Sequence, residues 1–316
     1  MIKVFDRRSI PAAARESVWN APGQHPVRRI DWDSVSGLTP RGSILFLPGR
    51  GDFYEKYLET LDAWSAQGWR VTASDWRGQA GSGRMSANPL IGDISDFSVW
   101  VDDLAALWRE WKAQTPGPHV LIGHSMGGHL ILRALAERRV DPVALVLSAP
   151  MLGFVSAIPA SVQHLAARLM CQIGDPARAA WTSSEKPGSA DHRRAELLTF
   201  DAERYADEMW WRSFRPELLI GPASWRWVER AAASVAAINA PALLEAVDTP
   251  VLLLGARHDR LVTWSAIERA AQRLPRAELV SWGAEARHEL LREADPVRNA
   301  VLEAISAFLA RDAPAR

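Results

Sequence analysis

Short apolar runs that alternate with three- and four-residue helical periodicity restrict this chain more than any other feature. A wholly apolar run has to be buried on both faces, and a striped helix on one. Ile44–Leu47 is the first such run and ends at Pro48-Gly49-Arg50-Gly51. Phe53, Tyr54, Tyr57, Leu58, Leu61 and Trp64 then recur at helical steps until Gly68, a residue that favours a helix stop. Trp69–Ser74 reads as the next strand, and Phe97 to Trp111 as a second amphipathic helix closed by Pro116-Gly117-Pro118. A strand at 119–122, a helix over about 126–138 and a strand at Val143–Leu147 follow. That order predicts a parallel α/β sheet covered by helices.

The rhythm breaks at Pro150 and resumes at Pro250 with strand Val251–Leu254, a helix near 263–273, strand Ala277–Trp282 and a last helix over about 296–310. The stretch between carries helical patterns, several prolines and clustered tryptophans (Trp181, Trp210, Trp211, Trp225, Trp227), but no convincing buried strand. One sheet interrupted by a helical insertion accounts for this, with a core of 1–149 and 241–316 and a cap of 150–240. The first 25 or so residues are the least readable.

Chemistry concentrates in Gly123-His124-Ser125-Met126-Gly127, the G-x-S-x-G pattern of a nucleophile elbow. An apolar strand runs into it and a helical pattern (Leu130, Ile131, Ala134, Leu135) leaves it, the context the motif requires. The small residues Gly123 and Gly127 let strand and helix pass, and the turn lifts the Ser125 hydroxyl above the sheet. A serine hydroxyl needs a base, and the base needs an orienting group. Such groups lie at the carboxyl ends of strands. Asp248 precedes its strand and sits at the wrong end, whereas Asp259 lies five residues beyond Leu254. His288 follows strand Ala277–Trp282, so the chain order Ser125, Asp259, His288 fits. His124 occupies the variable elbow position, where packing is the expected role; His258 adjoins the acid and points elsewhere. His25, His119, His129, His164 and His192 fall before the elbow, on its helix, in the insertion or near the N-terminus. For the oxyanion, the backbone N–H of Met126 and that of Arg50 are the expected donors. The Arg50 side chain either meets solvent or an anionic substrate group.

Composition excludes several classes. Basic and acidic residues number 37 each, so no global field favours nucleic acid. The lone Cys171 excludes an intramolecular disulfide and disfavours a cysteine zinc site, and no histidine pair has metal-ligand spacing; no metal and no cofactor are expected. The opening residues lack a signal-like apolar stretch and no uncharged run of about 18 apolar residues occurs, which points to a soluble, cytoplasmic protein. Fifteen Trp against three Tyr lead us to expect some of them at a cavity or interface.

On these residues the chain resembles the α/β-hydrolase superfamily over nearly its full length, and within it the bacterial lysophospholipase and monoacylglycerol lipase group, also labelled serine-aminopeptidase-like. Gly123–Gly128 matches the group's G-H-S-M-G-G, and Asp75-Trp76-Arg77-Gly78-Gln79-Ala80-Gly81-Ser82 matches its D-x-R-G-x-G-x-S segment except at Ala80. Leu197–Asp201, Pro216–Leu219 and Gly221–Trp225 are similar to the cap of bacterial lysophospholipases. Pro48 stands where the group has His, so any hydrogen bond from that histidine is missing. The resemblance implies a mostly parallel sheet of about eight strands flanked by helices, with the cap inserted after the sixth. It implies a serine ester hydrolase acting on lipid-like esters through an acyl-enzyme, foremost a lysophospholipase. Monoacylglycerol lipase or carboxylesterase is the alternative, with aminopeptidase or acyltransferase behind them. An aminopeptidase would need an amine-binding carboxylate in the cap, where Asp201, Glu203, Asp207 and Glu208 are candidates. A phosphate headgroup would call on Arg168, Arg193, Arg194, Arg204, Arg212 or Arg215. Contact of the cap with a membrane surface, at the inner membrane, is a further expectation.

Overall fold

Five central strands are almost wholly buried, as their apolar composition requires: β3 (Gly42–Leu47), β4 (Trp69–Ser74), β5 (His119–His124), β6 (Ala144–Ser148) and β7 (Val251–Ala256). The computed structural model describes residues 5–33, 40–181 and 192–315. With β1 (Ala14–Ala21), β2 (His25–Trp32) and β8 (Ala277–Trp282) these strands form one eight-stranded sheet in the order β1-β2-β4-β3-β5-β6-β7-β8. Every pairing from β4 to β8 is parallel, whereas β1/β2 and β2/β4 are antiparallel. The antiparallel hairpin is the part that the sequence left unread. Most of β1 (ARESVWNA) is exposed at the sheet edge, so it carries no apolar run.

Helices cover both faces. On one, α2 (Phe97–Gln114), α3 (Met126–Ala136) and α8 (Trp264–Arg273) bury Trp100, Leu104, Ile131 and Ile267 against Leu45, Leu121 and Leu253. On the other, α1 (Leu58–Ala66) and α9 (Asp295–Asp312) bury Leu58, Leu61, Ile305 and Phe308 against Ile44, Val120 and Leu252. The alternating residues of each strand thus feed two separate cores. The periodicity from Phe53 to Trp64 divides into a 3₁₀ turn at Tyr54–Tyr57 and α1 proper.

Between β6 and β7 run α4 (Ala160–Gln172), α5 (His192–Leu198), α6 (Ala202–Phe214) and α7 (Trp225–Ile238); among the described residues, none of this stretch joins the sheet. Asp201 and Ser224 cap α6 and α7 by accepting from the N–H groups of Arg204 and Trp227. Charged pairs fasten these helices to the sheet domain. Arg204 donates to Glu59 and Asp295, Arg215 to Glu16 and Glu55, and Asp207 accepts from Arg7 and Arg8. The Trp211 indole N–H also donates to the Arg7 carbonyl at 2.9 Å. Several other tryptophans hold the sheet domain itself: Trp108 donates to Asp141, Trp111 to Thr72 and Trp100 to the Arg77 carbonyl. The Asp75–Ser82 segment is structural. Asp75 is buried, accepting from Arg28 and from the Tyr54 N–H, and Arg77 pairs with Asp103.

Candidate active site

The passage from β5 into α3 leaves no room for a side chain at either of its glycines. A Cβ placed on Gly123 would lie 2.7 Å from the Gly127 carbonyl carbon, and one on Gly127 would lie 2.3 Å from the Leu47 carbonyl oxygen. Only glycine fits either position. Ser125, between them, has φ 51° and ψ −115°, a conformation that costs a non-glycine residue about 1–3 kcal/mol. Backbone bonds hold it there: the Ser125 N–H donates to the Ser148 carbonyl, and the Ser125 carbonyl accepts from His129 and Met151. Met126 opens α3, so its N–H has no acceptor within the helix.

The loop after β3 lies directly against this turn, since a Cβ on Gly49 would be 3.2 Å from that of Ser125. Pro48 does not leave the loop unsupported. Its carbonyl accepts from the Trp76 indole at 2.8 Å, the Gly49 N–H donates to Asp52 Oδ2 at 3.1 Å, and the Gly51 N–H donates to Gln79 at 2.5 Å. Arg50 therefore stands in a loop pinned on both sides. Its side chain is half-buried and lines the cavity beside Ser125. The guanidinium lies 5.4 Å from the Trp181 ring centre and 5.3 Å from that of Trp227, and donates to the Gly221 carbonyl at 2.6 Å. It joins the loop after β3 to the inserted segment.

His288 Nδ1 and Asp259 Oδ2 are 2.7 Å apart, with only 5% and 1% of their side chains exposed. Asp259 Oδ1 accepts from the N–H groups of Leu261 and Val262, which fixes the carboxylate. Burial favours the neutral acid, yet the His288 ring and these bonds hold the Asp259 pKa below its usual value. Burial likewise works against a charged His288, but Asp259, with Glu289 and Asp52 behind it, holds the imidazole pKa above its usual value. Nδ1 is committed to Asp259, leaving Nε2 as the nitrogen able to take a proton. His124 packs beside it, ring centres 4.8 Å apart, and shares a hydrogen bond with the Ser148 carbonyl. Burial first, then the neighbouring His288, press the His124 pKa down to about 4, so it is neutral at pH 7.

Ser125, His288, Gly49 and Arg50 line one cavity of about 470 Å³. Met151, Phe154, Leu197, Trp227, Val228 and Val262 supply apolar wall, largely from the segment between β6 and β7; Trp181 and Trp227 are tryptophans at a cavity, as their abundance led us to expect. Of the arginines considered for a phosphate, Arg194 lines this cavity. Arg204, Arg212 and Arg215 are tied to carboxylates and Arg168 is exposed, while the Arg193 side chain lies outside the described residues. The candidate amine-binding carboxylates are elsewhere too: Asp201 caps α6, Glu203 is exposed, Asp207 holds Arg7 and Arg8, and Glu208 is buried among cations. The carboxylates that do reach the cavity, Asp52 and Glu289, were not singled out from the sequence. With His124 they bring one ligand atom each to within 4.8 Å of one another. Lys56 Nζ contacts both carboxylates at 2.5 Å, so an ammonium already supplies the positive charge such a group would draw.

Residues 39–295 match the family described as serine aminopeptidase, S33. The chain is similar to lysophospholipase L2 of Escherichia coli K12, 30% identical over 281 residues that span 85% of this chain and 80% of that one. It is also similar to human monoglyceride lipase, 30% identical over 145 residues, 46% of this chain and 45% of that one. In fold it is similar to a soluble variant of monoglyceride lipase from Saccharomyces cerevisiae, with a TM-score of 0.76, 18% identity and 96% of each chain covered.

A base must be neutral to accept a proton, and His288 is protonated below its raised pKa. Esterase kcat/KM should therefore fall as pH drops through a value above about 6.5. Asp259→Asn removes the charge that favours imidazolium, so the acid limb should move to lower pH while the maximal rate drops roughly 10⁴-fold. A pH–rate profile of this variant with an unmoved acid limb would contradict the assignment of the pair.

Proposed function

The chain belongs to the serine aminopeptidase S33 family and has the α/β-hydrolase fold, and we propose that it hydrolyses carboxylic esters of lipid-like substrates, lysophospholipids foremost, with Ser125 as nucleophile. The observation that carries this reading is the buried His288, paired with Asp259 behind it, lining the same apolar-walled cavity as Ser125. His288 Nε2 takes the hydroxyl proton as Ser125 Oγ bonds to the ester carbonyl carbon. The N–H groups of Arg50 and Met126 receive the negative oxygen of the tetrahedral intermediate. The C–O bond to the alcohol then breaks, and the alcohol leaves with the proton from His288. Water, deprotonated by His288, attacks the acyl-enzyme, and the fatty acid departs as Ser125 regains its proton.

The 150–240 segment serves as a cap in this reading, its apolar side chains holding the acyl chain away from water. The Arg194 guanidinium on the cavity wall supports a phosphate-bearing alcohol over plain glycerol, and the similarity to lysophospholipase L2 points the same way. An aminopeptidase is disfavoured because none of the four candidate cap carboxylates lines the cavity.

The cap also carries the means of reaching a lipid surface. Val162, Leu165 and Leu169 are 50%, 57% and 49% exposed at the spacing of one helical face along α4, and Ile158 and Ile173, just beyond its two ends, are 52% and 64% exposed. That helix bears no carboxylate, and its Gln163 lines the cavity. The reading includes peripheral contact of this face with the cytoplasmic side of a membrane; among the described residues no helix is long and apolar enough to cross one.

A fluorophosphonate probe should label the protein, and Ser125→Ala should abolish labelling and lower turnover to a residual roughly 10³–10⁴ over water. Persistent labelling of that variant would refute the nucleophile. Comparing lysophosphatidylcholine, monoolein and nitrophenyl esters tests the headgroup preference. Replacing Leu165 and Leu169 together by Glu should reduce co-sedimentation with anionic phospholipid vesicles and spare hydrolysis of a soluble nitrophenyl ester; unchanged vesicle binding would remove the membrane contact.

A further inference from the structure

We propose that Lys56 is a positioning residue for ester hydrolysis, whose buried ammonium fixes the oxyanion loop, the His288 loop and α6 of the cap relative to one another. The inference rests on the reading of Ser125 and His288 as the reacting pair. The Lys56 side chain is fully buried, and burying a lone ammonium is costly. It is not alone: Nζ lies 2.5 Å from Asp52, 2.5 Å from Glu289 and 2.9 Å from Glu208. An ammonium has three N–H donors, and here it has one carboxylate for each. Burial alone would pull its pKa down, but these three carboxylates hold it above the usual lysine value, so it is charged.

Each carboxylate belongs to a different part of the site. Asp52 follows the oxyanion loop, and its other oxygen accepts from the Gly49 N–H at 3.1 Å and the Tyr57 hydroxyl at 2.8 Å. Glu289 is the residue after His288; its N–H donates to the Leu198 carbonyl at the end of α5, and its second oxygen pairs with Arg292. Glu208 lies on α6, and Arg212 and Arg292 lie 2.8 Å and 3.1 Å from its carboxylate. Asp52 and Glu289 both line the cavity. Lys56 therefore connects the loop that offers the Arg50 N–H, the loop that carries the base, and a helix of the cap. Without its charge, carboxylates at the cavity wall lose their shared partner and repel each other, and the loops bearing the donor and the base shift with them. Displacements of about 1 Å in such groups lower rates by about 10²-fold.

The test uses Lys56→Met and, as a second route to the same contact, Asp52→Asn. Leu104→Ala, which opens a cavity under α2 in the other core, serves as the control for lost stability alone. Assays run on soluble nitrophenyl butyrate, well below the melting transition of each protein. Both variants are expected to lower kcat about 10- to 100-fold with KM within about threefold, and to slow phosphonylation by a fluorophosphonate by a similar factor. Leu104→Ala should melt earlier and keep its kcat. If a folded Lys56→Met or Asp52→Asn protein loses no more kcat and labelling rate than Leu104→Ala, the inference is overturned and the nucleophile assignment stands. If the parent protein is not phosphonylated at all, the reading beneath the inference fails instead.

Discussion

Close approach of backbone at Gly123 and Gly127 is the constraint on which the rest of the molecule turns. Strand β5 ends and α3 begins within a space that admits no Cβ at either glycine, and the price is a serine with φ near 51°. That conformation persists because the sheet on one side and the β3 loop on the other over-determine it. Ser125 is bonded through its backbone to the end of β6 and to Met151 at the entry to the inserted helices. The same crowding brings Gly49 against Ser125, so the elbow serine and the loop after β3 come together through one packing event.

Around this turn the protein buries many charges and leaves few of them alone. Asp259 and His288 form one buried pair, and Lys56, Asp52, Glu208, Glu289 and Arg292 form a larger group next to it. Such pairs rarely stabilise a fold more than apolar packing would, so their use here is better understood as positioning. Arg50 plays a similar part from the other side, with its guanidinium held near Trp181 and Trp227 and its backbone in the loop after β3. The cavity thus has an apolar wall suited to an acyl chain and a polar floor whose charges are already matched.

What the sequence made legible is what depends on neighbours in the chain. Strands β3 to β7 announce themselves as apolar runs, the elbow as five consecutive residues, and Asp259 and His288 by their place just past strand ends. Arg204 and Glu208, read as substrate-facing candidates, turn out to hold the fold because their partners, Glu59 and Lys56, lie about 150 residues away and no local pattern records them. The β1/β2 hairpin escaped because an exposed edge strand has no apolar run to show. Pro48 has no side chain to donate a hydrogen bond, and what the sequence did not show is that its carbonyl accepts one from Trp76, just past the end of β4. Two local hints to the buried charges existed, namely the i,i+4 spacing of Asp52 and Lys56 and a glutamate directly after His288.

In the proposed reaction one strained turn, one loop and one buried pair surround a single reacting carbon. A crystal structure of the protein after reaction with a fluorophosphonate measures that arrangement directly. Phosphorus should be bonded to Ser125 Oγ, its oxygen should lie within hydrogen-bonding distance of the Arg50 and Met126 N–H groups, and His288 should remain on Asp259. Phosphorus on another residue, or the phosphonyl oxygen turned away from both N–H groups with His288 detached from Asp259, would contradict the account.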